Sequence, residues 1–350
     1  MIGCQRLAVE VLAPARLHLG FLDLHGGLGR RFGSLGLTLE GIATRLRAEP
    51  AARLSAAGPE SERVLAYARA YLERRGIAGG ADLRVESAIP SHAGLGSGTQ
   101  LALAVGTALE RIYGSPSAAG TRRIADVLGR GRRSGIGIGA FDQGGFIVDC
   151  GRGDSDAVPP LALRLPFPDD WRLLLLLDRR GQGIHGEREV RAFAELAEFP
   201  ESAAGRLCRV LLMQVVPGLL ECRLEPVAEG LREIQRTVGQ HFAPAQGGCF
   251  ASPAVAAALD LADRHGLRGS GQSSWGPTGF VLAEDAERAR WLAQTIDRRG
   301  GASSPLELRI CAARNRGAEV VATLQSARRP APTPRSRARV STPAREAASE

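Results

Sequence analysis

Between Ile89 and Leu109 the chain reads Ile89-Pro90-Ser91-His92-Ala93-Gly94-Leu95-Gly96-Ser97-Gly98-Thr99-Gln100, then Leu101-Ala102-Leu103-Ala104-Val105-Gly106-Thr107-Ala108-Leu109. Three glycines at alternate positions, interleaved with small hydroxyl residues, specify a tight loop. The alanine-rich apolar run after it predicts a buried helix over 101–113, stopped by Gly114 and Pro116. Gly94, Gly96 and Gly98 allow backbone conformations closed to other residues and let a ligand approach closely. Ser97 or Thr99 can cap the helix, whose first amides lack partners and whose dipole favours an anion. A loop of this kind entering a helix is expected to cradle a phosphate or diphosphate. His92 lies inside it, either as a ligand contact or as a plain loop residue.

Composition narrows the chemistry. The 350 residues contain no lysine, so all 45 basic side chains are arginine, and Asn315 is the single asparagine. Schiff-base chemistry and a lysine-dependent phosphate loop are therefore excluded, and cationic help must come from arginine or a metal. The formal charge of +8 is inflated by residues 327–350, where six arginines face two glutamates. No basic stripe with interleaved aromatics remains, which argues against nucleic acid as a partner. Six widely spaced cysteines without a Cys-x-x-Cys pair suit a reducing cytoplasm better than a zinc site or disulfide scaffold. The run Leu173–Leu177 is too short to cross a bilayer, and no membrane partner is expected.

Three further segments carry candidate chemistry. Residues 14–33 place Arg16 and His18 on one strand face, ahead of a glycine-rich turn with Asp23, His25, Arg30 and Arg31. Arg16 can grip an anion with a bidentate fork. Residues 129–145 combine Arg130, Arg132, Arg133, Ser134, Asp142 and Gln143 with a run of glycines, and are expected to form a second anion-binding loop. Residues 269–283 contain Gln272-Ser273-Ser274-Trp275-Gly276-Pro277-Thr278, a turn before a strand. His185 and Glu187 either face a cleft or cap a helix.

Periodicity predicts strands at 7–13, within 35–50, and at 81–87, 171–178 and 306–312. It predicts helices at 60–75, 119–128, 187–198, 202–216, 224–241, 253–265 and 285–298. A proline cluster from Pro159 to Pro168 marks a junction between an N-terminal domain (1–165) and a C-terminal domain (166–326). Residues 327–350, rich in Pro, Ser, Ala and Arg, are expected to be a disordered tail.

Pro90…Gly94-Leu95-Gly96-Ser97 resembles the P-x-x-x-G-L-G-S signature of the GHMP kinase superfamily, the galacto-, homoserine, mevalonate and phosphomevalonate kinases. Gly98 stands where those kinases carry a second Ser or Thr, which is displaced to Thr99. With that departure, the segments 14–30, 132–146 and 272–278 resemble the β-ribofuranosylaminobenzene 5′-phosphate synthases, a branch of the superfamily that is not a kinase. The resemblance implies an α+β, two-domain GHMP-kinase-like fold with the active site in the cleft between domains. It implies condensation of 5-phosphoribosyl 1-diphosphate with 4-aminobenzoate or 4-hydroxybenzoate, releasing diphosphate and CO2, early in the synthesis of methanopterin-type carriers. Mg²⁺ on the diphosphate and a homodimer are further implications. The expected site comprises Arg16, His18 and Asp142 as catalytic groups, Asp142 also as the metal candidate. Gly94, Gly96, Ser97, Gly98, Thr99, Arg132, Arg133, Ser134, Gln143, Gln272, Ser273 and Ser274 are expected around the substrates. An ATP-dependent small-molecule kinase is the alternative. In mevalonate kinase S-G-I-D supplies the base, and aligning Ser134-Gly135-Ile136 puts Gly137 at that position, whereas aligning on D-Q as in galactokinases brings in Asp142. The register stays open at this stage.

Overall fold

The computed structural model describes residues 5–114, 120–155, 157–181, 186–301 and 303–326. The expected tail at 327–350 and His185 lie outside these residues. So does the Glu187 side chain.

Two very long strands, β1 (Gln5–Asp23) and β2 (Phe32–Ala51), form an antiparallel hairpin. Asp23 closes its turn by accepting the Gly26 amide at 2.8 Å. Next come β3 (Ser55–Ala57), α1 (Ser61–Arg75) and β4 (Gly80–Ser87), then α2 (Ser97–Tyr113) and α3 (Thr121–Val127). The short helix α4 (Ile136–Asp142) leads into β5 (Phe146–Asp149) and β6 (Leu161–Leu165). The second half of β2 pairs with β4, and its first half pairs with β5. Helix α2 is buried on nearly every side, and its small residues permit that. A Cβ at Gly106 would lie 2.2 Å from Ile124.

Strand β7 (Arg172–Asp178) begins the second sheet. It is followed by α5 (Glu187–Glu195), α6 (Glu201–Val210) and α7 (Val216–Leu220), the last two joined by the π-helical turn Leu211–Val215. Helices α8 (Leu224–Gln246) and α9 (Pro253–Arg264), strands β8 (Ser270–Gln272) and β9 (Gly279–Ala283), α10 (Ala286–Gly300) and β10 (Leu306–Ala312) complete this part. The sheet runs β10-β7-β9-β8. The leucine run in β7 explains itself by alternation: Leu173, Leu175 and Leu177 face one core, while Leu174 and Leu176 face another with α9 and α10. The stretch Glu201–Leu220 is long and apolar enough to cross a membrane by length and composition alone. Its Leu207, Val210, Leu211, Val215 and Leu219 are instead buried in the core shared with β1 and α8.

The 165/166 boundary falls between β6 and β7, but the chain then returns. β11 (Glu319–Ser326), absent from the sequence expectation, pairs antiparallel with β1 from Gln5↔Ser326 to Leu12↔Glu319 and so belongs to the first sheet. Its Val/Ala/Leu run finds a partner more than 300 residues away. The architecture is α+β, with two sheets and helices packed on each.

Strand β1 serves two cores. Val9, Val11 and Ala13 pack with α1, α2 and α3, while Leu17, Leu19 and Phe21 pack with β7, α6 and α8. Arg16 and His18 sit where the strand passes from one core to the other, between register shifts at Pro14/Arg16 and His18/Gly20.

Candidate active site

The glycine-rich loop ends in helix α2 as expected, but not through the expected cap. Gly96, left-handed at φ 80, is the N-cap and offers no side chain, so neither Ser97 nor Thr99 plays that part. The Gly96 carbonyl accepts the amides of Thr99 and Gln100. The amides of Ser97 and Gly98 therefore have no partner within the helix.

Guanidinium groups surround this helix start. Arg16 donates to the Gly94 carbonyl at 2.8 Å, and its side chain lies 3.2 Å from where a Cβ on Gly96 would stand. Arg63, from the first turn of α1, brings Nη2 within 3.0 Å of the corresponding point on Gly98, with Arg130 at 3.8 Å and the Tyr67 hydroxyl at 3.9 Å. Arg63 is held by Glu60 at 2.7 Å and Ser91 at 3.0 Å. Arg130 lies over the Tyr67 ring, 5.0 Å from its centroid, and donates to its hydroxyl. Sequence reasoning did not assign Arg63 and Tyr67 to the site. Their spacing of four residues on an amphipathic helix is the signal that could have found them.

Ser273 joins three segments with one hydroxyl, accepting the His18 amide at 2.9 Å and donating to the Gly94 carbonyl at 2.8 Å. Gly94, at φ 76, sits so close that a Cβ there would meet the Ser273 carbonyl at 2.5 Å. The Ser274 amide donates to the His18 carbonyl. Gln272 faces inward: its Oε1 accepts the Ala251 amide at 2.7 Å and its Nε2 reaches Gln246 and the Ser274 carbonyl. It therefore shapes the turn rather than presenting a polar group to a ligand.

His18 is 4 % exposed and packs on Phe21, ring centroids 4.4 Å apart. Its Nδ1 accepts the Gly20 amide at 3.3 Å. Burial, reinforced by the Arg16 and Arg133 guanidinium groups, lowers the imidazole pKa to about 3, so the ring is neutral at ordinary pH. Beyond it lies an aromatic cluster: Phe21 against Phe193 and Phe242, with Trp275 stacked on Phe242 at 4.2 Å. Arg133 lies 5.3 Å over the Phe193 ring and ties the 129–135 segment to α5. Arg132, its neighbour, is exposed.

Of the expected second anion loop, residues 129–135 are loop and send Arg130 toward the α2 start, while 136–142 coil as the short helix α4. Its glycines bring the helix close to its neighbours: a Cβ at Gly137 would lie 3.0 Å from Thr99, and one at Gly139 2.9 Å from Leu161 and 3.0 Å from Ile147. Gln100 seals the contact by donating to the Gly137 carbonyl at 2.7 Å. Ser134 and the Gly135 amide both bond Asp149, at 2.9 and 2.8 Å. Asp149 also accepts the Ser34 and Gly151 amides. Burial pushes its carboxyl up against the pull of these four bonds. Asp149 thus pins the α4 N-terminus from below, with its acceptor capacity fully used.

Asp142 stands apart from Arg16 and His18. It closes the far end of α4, about 9 Å along the axis from Ile136, and accepts the Thr121 hydroxyl of α3. Gln143 is exposed, and its carbonyl faces Arg164. The contacts that hold Asp142 are thus with Thr121 and Arg122 of α3. No group of three His, Cys, Asp or Glu side chains is placed to hold a metal among the described residues. Around the helix start the placed charges are guanidinium groups, and the one carboxylate described beside them, Glu60, is held by Arg63 and Ser91, so a resident Mg²⁺ does not fit there.

Residues 62–148 match the model of the GHMP kinases N terminal domain. In solved structures the fold is shared with homoserine kinase from Cytophaga hutchinsonii, at a TM-score of 0.61 and 17% identity, covering 90% of this chain and 97% of that one. Among curated proteins, the β-ribofuranosylphenol 5′-phosphate synthase of Archaeoglobus fulgidus is 32% identical over 331 residues, 89% of this chain and 99% of the relative. The same-named protein of Methanothermobacter thermautotrophicus is 30% identical over 80% of this chain and 90% of its own length. With a GHMP-type fold, a helix start ringed by arginines and likeness along nearly the whole chain, the protein belongs to the β-ribofuranosylphenol 5′-phosphate synthase family of enzymes.

Proposed function

We propose that the protein is a decarboxylating ribosyltransferase that condenses 5-phosphoribosyl 1-diphosphate with 4-hydroxybenzoate, or less readily 4-aminobenzoate. The observation carrying this reading is the convergence of Arg16, Arg63 and Arg130 on the open amides at the start of α2. Departure of diphosphate leaves an oxocarbenium-like ribosyl carbon and places growing negative charge on the leaving group. Fixed amides and guanidinium groups stabilise that charge without reorganising. The ring carbon bearing the carboxylate bonds to the ribosyl carbon. The carboxylate bond then breaks, its electron pair restores aromaticity, and CO2 leaves.

The phenol in the relatives' name favours 4-hydroxybenzoate as acceptor. Mg²⁺ enters this reading only as part of the diphosphate substrate. A homodimer in the cytoplasm completes it.

The kinase reading keeps the support of the family model. Against it, the alignment on Ser134-Gly135-Ile136 leaves Gly137, which packs on Thr99, in place of a base, and on the D-Q alignment Asp142 is engaged by Thr121. Incubating the purified protein with 5-phosphoribosyl diphosphate and carboxyl-labelled 4-hydroxybenzoate tests both. Labelled CO2 released in step with diphosphate is expected. Phosphorylation from ATP without CO2 release would replace this function with the kinase.

A further inference from the structure

The aromatic cluster contains two buried donors with nothing to bond. His18 Nε2 and Trp275 Nε1 have no hydrogen-bond partner among the described residues, and the two side chains are 4 % and 2 % exposed. The tautomer of His18 follows from its other nitrogen. Nδ1 accepts the Gly20 amide, so it carries the lone pair, and the proton of the neutral ring sits on Nε2. Tryptophan can only donate. A buried donor left unpaired is costly, so each needs an acceptor. The cavity bordered by His18, Phe21, Phe242 and the amide side chains of Gln235, Gln246 and Gln272 is about 20 Å³, room for a single oxygen-sized group. His18 lies two residues along β1 from Arg16, about 7 Å from the residue that holds the Gly94 loop. From its reacting carbon to a donor hydrogen-bonded to its far substituent, a para-substituted benzene also spans about 7 Å.

We propose that His18 donates its Nε2–H to the ring oxygen of the aromatic acceptor and thereby makes the enzyme prefer a phenol to an aniline. This rests on the ribosyltransferase reading above and names the residue that selects its acceptor. A phenol oxygen offers lone pairs to the donor. An aniline nitrogen instead presents two N–H groups, and its lone pair is drawn into the ring. With the amine bound, His18 Nε2 stays unpaired, and a site built to hydrogen-bond one group rejects an analogue that cannot reciprocate.

The test compares dissociation constants of 4-hydroxybenzoate and 4-aminobenzoate, by calorimetry with inorganic diphosphate present, and their kcat/KM ratio. Wild-type protein is expected to favour the phenol by about 10–100-fold. His18→Phe should bring the ratio close to one, chiefly by weakening the phenol, with circular dichroism unchanged. His18→Gln keeps an N–H donor and should retain most of the preference. A wild-type ratio near one overturns the proposal even if His18→Phe does not fold. So does a ratio unchanged in folded His18→Phe, or an equal loss for both acceptors in both variants, which would mark His18 as structural and its Nε2 partner as water. Discrimination in binding without CO2 release from either acceptor would sink the reaction assigned above but leave the recognition role standing.

Discussion

A Cβ added at Gly96 or Gly98 would press on the guanidinium groups of Arg16 and Arg63, whereas one added at Gly137 or Gly139 would press on Thr99, Leu161 and Ile147. Both segments read alike in sequence, with several glycines beside hydroxyls and near arginines. In the first, the missing side chains open helix amides toward cations. In the second, they let a short helix lie against the sheet while Asp149 takes up the Gly135 amide and Ser134 hydroxyl at its start. Glycine density reports close approach; what approaches decides whether the segment binds anions or packs.

The comparison breaks most visibly at Arg63. Replacing it with glutamine should raise the KM for 5-phosphoribosyl diphosphate by about 10–100-fold, since a charge-assisted contact to a phosphate oxygen is lost. Thermal stability should change little, because Glu60 and Ser91 remain partly exposed to water. An unchanged KM would move the anion site away from the α2 start.

Next in size is a pH effect on stability from the strand between the two segments. The folded-state pKa of His18 lies near 3, below the ordinary 6.5, so the unfolded chain takes up a proton that the folded chain refuses. Its contribution is intact above pH 6.5 and declines as pH falls toward 3, at up to about 1.4 kcal/mol per pH unit. Urea titrations of wild type and His18→Gln over that window should converge as pH drops. Parallel curves would contradict the buried, neutral ring.

Gly139→Ala sharpens the other side. Overpacking against Leu161 and Ile147 should cost about 1–3 kcal/mol of stability, read by thermal or urea unfolding, with the KM for the diphosphate substrate unchanged. The smallest effect belongs to Asp142→Asn, which should leave kcat/KM within about twofold of wild type. A loss of several orders of magnitude would restore the catalytic role that its contact with Thr121 argues against.

Much of this fold was legible because it is local. The apolar periodicity of α2 and α8 and the uninterrupted leucines of β7 give their elements directly, since burial on several faces leaves a continuous pattern. β11 was not legible, because eight residues with no turn signal acquire their identity only by pairing with β1 across the whole chain. The site divides the same way. Arg16, His18 and the Gly94–Thr99 loop stand out through their own neighbours, and Ser273 through its turn. Arg63 lies 35 positions before Gly98 in an ordinary amphipathic helix, and only the packing of α1 on α2 brings it there. Asp142 is misleading in sequence because the glycine-rich chain between Ser134 and Asp142 reads as loop. Once it coils as helix, the carboxylate is carried to the end away from Asp149 and Thr99.

The account turns on where the leaving group sits, and a crystal structure of the protein with inorganic diphosphate and Mg²⁺ measures that directly. The diphosphate oxygens are expected on the amides of Ser97 and Gly98, within hydrogen-bond reach of Arg63 and Arg16. Diphosphate seated instead along Gly131–Gly137, with the α2 start empty, would contradict it.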